Sequence, residues 1–272
     1  MNIGPFAFPV RPLIFLLSVA IAMLIAWLFD NQHGRAETAI STSIVVGLIA
    51  ARILFVLRFL PGYDGSVLRM LDFRDGGFDT FAGLAAGIAM VVFFLVRRKE
   101  IRRPLLRATT AGLAAWGAAV AATGAPARLA VVPVVSLPNA EGGQQALAPH
   151  DGKPLIVNLW ATWCAPCQAE MPVLANAQAR YRGVDLVFVN QAEARSTVDT
   201  FMTDLNLRVD NSLLDPTLSV ARATGVSAYP TTLFYDAAGR LLEMHLGRFS
   251  KASFEATMVR LYPASILRLG ER

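Results

Sequence analysis

The chain has two cysteines, Cys164 and Cys167, and they stand two residues apart in NLWATWCAPCQAEMP. An apolar, β-rich run, PLIVNLW, leads into them, and a segment of helical character from Pro166 to Tyr181 follows. A Cys-x-x-Cys at a strand-to-helix junction suits thiol-disulfide exchange. Cys164 falls at the helix N-terminus, where unpaired backbone N–H groups and the helix dipole favour a negative sulfur, so it is the expected attacking thiolate. Cys167, about one turn further in, is the expected resolving thiol, protected by burial until the mixed disulfide forms. The two together make a redox-active disulfide. Pro166 fits the first helical turn, where its missing N–H removes no bond.

Two other uses of the pair compete. A zinc site needs four ligands, and beyond the cysteines the chain offers only His33, His150 and His245. No metal and no cofactor is therefore expected. A purely structural disulfide would close so small a loop that it constrains the unfolded chain little.

The surrounding pattern supplies elements to hold the pair. VDLVFVN reads as a second buried strand after the helix, which makes a parallel βαβ unit. STVDTFMTDLNL and PTLSVARATG read as helices, the second ending at Gly225. TTLFYDAAGRLLEMHLG reads as a β-hairpin with its turn at 236–239, and SKASFEATMVRLY as a closing helix with Ser250 as N-cap.

The rest of the chain is of another kind. Apolar residues make up 54% and charged residues 17% of the whole, against about 45–50% and about 25% in soluble domains. The excess is concentrated before residue 130, in apolar stretches at 13–29, 39–57, 78–96 and, weakest, the Ala/Gly-rich 108–125. Each approaches the roughly 20 residues that a helix needs to cross a bilayer. The first has only a thin basic region, Arg11 alone, and no small-x-small cleavage site follows it, which argues against a signal peptide. The expected organisation is a transmembrane domain over 1–129 and an exchange domain over 130–272.

Charge is distributed to match. Up to Val132 there are 13 Lys/Arg against 7 Asp/Glu, and from Pro133 onward 12 against 13. The surplus belongs to the apolar half, where it orients spans, and no nucleic-acid partner is expected. RRKEIRRPLLR, between the third and fourth spans, prefers the cytoplasm. With four spans, the exchange domain then lies on the outer side of a bacterial inner membrane. Arg52, inside the second span, needs a partner or an interfacial position, and Asp79 is the nearest acidic candidate by composition. With no cysteine of its own, this half cannot relay electrons by dithiol exchange.

At GKPLIVNLWATWCAPCQAEMPVL and LLDPTLSVARATGVSAYPTTLFYDAAGRLL, residues from Val134 to Leu261 resemble the membrane-anchored thioredoxin-like proteins of the TlpA/ResA/CcmG type. The resemblance implies an α/β thioredoxin fold, a central mixed sheet flanked by helices, following the all-α membrane domain. It implies a cis Pro230 facing the cysteines, with the Tyr229 backbone available to a substrate chain. Glu170 matches the acidic residue of that group's active site, as a partly buried carboxylate able to exchange a proton with the resolving thiol. Cytosolic thioredoxins instead carry an Asp on the preceding strand, where Asn158 stands here. Trp163 is expected on the docking surface and Trp160 in the core, while Tyr229 is larger than the usual residue before the cis proline and narrows the groove.

The resemblance also favours the reducing direction, acting on cysteine-containing exported proteins, apocytochrome c being one candidate. Electrons would come from a separate membrane thiol reductase. A disulfide-introducing oxidase and a non-catalytic membrane scaffold or lipid-handling protein are the alternatives. In the first half, ARILFVLRF and DFRDGGFDTFAGLAAG resemble the early spans of prolipoprotein diacylglyceryl transferases. Phe81 stands where that family carries a His, which argues against transferase chemistry.

Overall fold

In the computed structural model, the described residues are 2–3, 6–7, 10–30, 34–123, 131–139, 142–149 and 152–263. The chain divides into two compact units, the first within 8–124 and the second within 125–272, with Asn2–Ala7 grouped with the second. A minimal antiparallel pair, β1 (Asn2–Ile3) and β2 (Phe6–Ala7), comes first in the chain.

The first unit is helical: α1 (Val10–Phe29), α2 (Arg35–Arg58), the short α3 (Val67–Leu71), α4 (Thr80–Arg97) and α5 (Arg102–Thr123). α2, α4 and the segment Lys99–Ala122 are long and apolar enough to cross a membrane, and Leu13–Phe29 is a shorter apolar helix. Large apolar side chains such as Leu17, Trp27, Leu48, Leu57, Ile88 and Val96 point outward. That is the arrangement of helices solvated by lipid rather than water.

Small residues hold these helices together. A Cβ on Gly47 of α2 would come within 2.9 Å of the Gly83 carbonyl oxygen of α4, and one on Gly83 within 2.9 Å of Ala51 Cβ. α1 and α5 meet the same way, at Ala22 and Gly112. In lipid, such close backbone approach substitutes for a hydrophobic driving force.

Arg52 does not pair with Asp79. Its Nη1 donates to Asp75 Oδ1 at 2.9 Å. Asp79 instead caps α4, accepting from the Ala82 N–H at 2.9 Å, with Arg58 at 3.7 Å. An Asp one residue before a helix meets the unpaired N–H groups of its first turn, so proximity in composition chose the wrong carboxylate.

The second unit is built on a five-stranded mixed sheet in the order β7-β6-β5-β8-β9. Its strands are β5 (Leu155–Trp160), β6 (Asp185–Gln191), β7 (Ser212–Asp215), β8 (Thr231–Tyr235) and β9 (Leu241–Leu246). β5 pairs in parallel with β6 and antiparallel with β8. A small hairpin, β3 (Ser136–Pro138) with β4 (Gln144–Ala146), comes before the sheet.

β5 is buried at every position because both faces of the sheet are covered, which is why it reads as a continuous apolar run. Ile156 and Trp160 pack with α6 (Ala165–Arg180), α7 (Arg195–Asp204) and α9 (Lys251–Leu261). Leu155, Val157 and Leu159 pack on the other face with α8 (Ser219–Thr224) and the hairpin. α8 is shorter than the sequence reading, because Leu218 takes a left-handed conformation just before it. Gly225 ends it as expected, also left-handed, and Ser250 caps α9 in a reciprocal capping box with Ser253.

Candidate active site

β5 ends at Trp160, three residues cross the sheet end, and Cys164 becomes the N-cap of α6 with Pro166 in the first turn. The Cys164 and Cys167 sulfurs are bonded, with Cα atoms 5.2 Å apart. Cys164 Sγ also accepts the Cys167 N–H at 3.2 Å. That donor and the α6 dipole are thus aimed at the first sulfur. Both cysteines are buried, Cys164 at 5% exposure slightly less completely than Cys167 at 0%.

Behind the pair lies Glu170, one turn along the same helix from Cys167 and completely buried, more so than the partly buried group expected. It can live there because both its oxygens are bonded. Oε1 accepts from the Asn158 amide at 2.8 Å, and Oε2 from the Phe249 N–H at 2.9 Å. Asn158 shares the β5 face of Ile156 and Trp160, which covers α6, and it also donates to Thr232 Oγ1 on the adjacent strand at 3.1 Å. Burial pushes the Glu170 carboxyl up to about 7, against the lowering pull of the two N–H donors and the Arg248 charge. The group is poised to hold or release a proton near neutrality.

The loop carrying Trp163 is fixed by a residue the sequence reading did not single out. Glu193 accepts from the Thr162 N–H and from Asn190 Nδ2, each at 2.7 Å, and from the Thr162 hydroxyl. Gln168 closes the other side by donating to the Thr162 carbonyl at 2.7 Å. Topology holds the signal that could have found Glu193. β5 and β6 are parallel neighbours, so the loops beyond their C-terminal ends lie at one end of the sheet, and an acidic residue just past β6 faces the loop just past β5.

Trp163 is 69% exposed, and its ring meets that of Tyr229 edge-on with centroids 6.2 Å apart. The Tyr229–Pro230 peptide is cis. Tyr229 packs against the core cluster that includes both cysteines, and burial, with a smaller contribution from Asp215, raises its phenol above the ordinary value. Trp160 is wholly buried, in contact with Phe201. The six candidate residues therefore converge on one end of the sheet. His33 and His150 lie outside the described residues, and His245 stacks on Phe249. Among the described residues no group of three or more His, Cys, Asp or Glu is placed to hold a metal.

Residues 127–258 match the family model described as Redoxin. The thiol-disulfide oxidoreductase ResA of Halalkalibacterium halodurans is 30% identical over 129 residues, covering 47% of this chain and 73% of its own length. The ResA protein of Bacillus subtilis is also 30% identical over 129 residues, covering 47% and 72%. Among solved structures, a thioredoxin-family thiol:disulfide interchange protein from Chlorobium tepidum aligns at 29% identity with a TM-score of 0.43, covering 48% of this chain and 95% of that one.

Proposed function

The chain belongs to the redoxin family of thiol-disulfide oxidoreductases, and on that premise we propose that it is a membrane-anchored reductase of disulfides in exported proteins. One observation carries the mechanism: a bonded Cys164–Cys167 pair at the start of α6 with a buried, proton-poised carboxyl one turn behind it.

Cys164, as thiolate, attacks one sulfur of a client disulfide, forming a mixed disulfide and releasing the client's other sulfur as a thiolate that takes a proton from water. Glu170, in its ionised form, accepts the Cys167 proton. The Cys167 thiolate then attacks Cys164 Sγ, which breaks the mixed disulfide and expels the second client thiolate. Two electrons have passed to the client, and Cys164–Cys167 is left oxidised. Restoring the dithiol takes two electrons from a separate membrane thiol reductase, since the chain has no other cysteine. Trp163 and Tyr229 frame the groove, and the backbone at Tyr229 and Pro230 pairs with the client segment. Apocytochrome c fits as a client because it must present free cysteines to receive haem.

The basic connector at 97–107 supports an arrangement in which four helices span the inner membrane and the exchange domain, from about residue 130, faces the periplasm. The activity is tested with the full chain in detergent, by thiol-dependent insulin reduction. Cys164→Ser is expected to abolish turnover, and an unchanged rate would contradict the assignment.

A further inference from the structure

On the reading of the first unit as membrane-embedded, we propose that the connector between α4 and α5, residues 97–107, is a binding surface for the phosphates of anionic phospholipids. Arg97, Arg98, Lys99, Arg102, Arg103 and Arg107 are all exposed on it, against one acid, Glu100, also exposed. Cations this dense, at the ends of two spans, are what an anionic membrane surface attracts.

The opposite end of α2 and α4 is the contrast. There Arg52, Arg58, Arg69 and Arg74 meet Asp75, Asp79, Asp64 and Asp72 at 2.9, 3.7, 3.3 and 3.9 Å in turn. Among the described residues, no cation of the connector is ion-paired in this way. Asp30 and Glu37, at the same end of the unit as the connector, serve α2 instead. Asp30 accepts the Ala36 N–H at 2.8 Å, and Glu37 stands in the first turn of α2, where the helix dipole favours an acid. The dipoles account for Arg97 and Arg98, at the C-terminal end of α4, but oppose Arg102 and Arg103, in the first turn of α5. Cations opposed by their own helix and left unpaired by the protein call for an anion from outside.

The connector is folded against the helices. Lys99–Ile101 forms a 3-10 turn, and Ile101 and Leu105 are buried in one cluster with Ala26 of α1 and Ile40 of α2. Arg102 Nε donates to the Leu95 carbonyl at 3.0 Å. The Arg98 guanidinium lies 5.6 Å from the centre of the Phe94 ring and that of Arg107 4.9 Å from the centre of the Phe29 ring. Three of the cations are thereby held in place, and a guanidinium fork matches two oxygens of a phosphate. Val96 and Leu106 are exposed among them, which sets the patch where hydrocarbon gives way to headgroups. A soluble acidic partner would meet the same charge, but only lipid also covers the apolar side chains beside it.

The test is native mass spectrometry of the full chain in neutral detergent, supplied with equal amounts of phosphatidylglycerol and phosphatidylcholine. The expected result is several-fold more phosphatidylglycerol than phosphatidylcholine retained, falling towards parity in Arg98→Gln/Arg103→Gln and kept in Arg98→Lys/Arg103→Lys. Arg69→Gln/Arg74→Gln, which removes the same charge at the opposite end, should keep the preference. Parity in the wild type would overturn the proposal and leave the cations to a soluble acidic partner. An equal fall in both Gln pairs would overturn it as well, since net charge alone would then set the preference. So would displacement of the lipid by an equal concentration of inorganic phosphate. Retention of neither lipid would overturn it too, and a chain that also stays dispersed without detergent would overturn the membrane reading itself.

Discussion

The Asn158 amide donates to Glu170 Oε1 at 2.8 Å, tying the strand that leads to the redox loop to the helix that carries both cysteines. Where cytosolic thioredoxins place an acid on the strand, this chain has an amide, and the acid sits on the helix. The exchange of positions keeps a titratable group behind the resolving sulfur. Its proton affinity is set by burial working against two N–H donors, and burial wins.

That balance makes stability depend on pH with a definite sign. Glu170 holds its proton more tightly in the folded chain than at its ordinary value of 4.5. Its contribution is therefore complete below about pH 4.5 and is lost as pH rises to about 7, on the order of 3 kcal/mol. Urea unfolding of the exchange unit at about pH 5 and about pH 8 should show the wild type losing stability relative to Glu170→Gln as pH rises. A constant difference would show that Glu170 does not titrate in this range.

Glu193→Gln should loosen the loop that presents Trp163. The carboxylate accepts three hydrogen bonds, two of them from Thr162. Losing its charge should cost about 1–3 kcal/mol in urea unfolding and slow client reduction. Unchanged stability would mean that Gln168 and the loop backbone hold Thr162 unaided.

Trp163 and Tyr229 should matter to large substrates and little to small ones. Trp163→Ala or Tyr229→Ala is expected to slow insulin reduction while leaving reaction with oxidised glutathione as fast or faster, because removing either ring widens the approach to a sulfur in a residue only 5% exposed. Equal slowing of both reactions would mean that the rings tune the sulfur and not the groove.

The exchange unit was legible because its signals are local. β5 and β6 are apolar runs, Gly225 and Ser250 sit at helix ends, and the turn at 236–239 carries its glycine, all within a few residues of what they mark. The strand β7 and the hairpin β3–β4 were missed, being three or four residues long and partly polar, too short for alternation to register. Glu193 was missed because its link to Thr162 spans 31 residues and exists only once parallel pairing brings two loop ends together. The Arg52 partner was misassigned for a related reason. Composition offers several carboxylates, and helix capping had already claimed Asp79.

The proposed orientation is checked by labelling intact, pre-reduced cells with a membrane-impermeant thiol reagent, against a known external thiol as control. Cys164 should be modified under these conditions. Failure to label it while the control reacts would place the exchange unit in the cytosol.

The most direct test of the central claim, that Cys164 attacks and Cys167 resolves, is mass spectrometry of the reduced full chain after reaction with a disulfide-bonded peptide. Cys167→Ser should accumulate a mixed disulfide through Cys164, and Cys164→Ser should accumulate none. A stable adduct through Cys167 in the Cys164→Ser variant, with none formed by Cys167→Ser, would reverse the assigned roles and contradict the account.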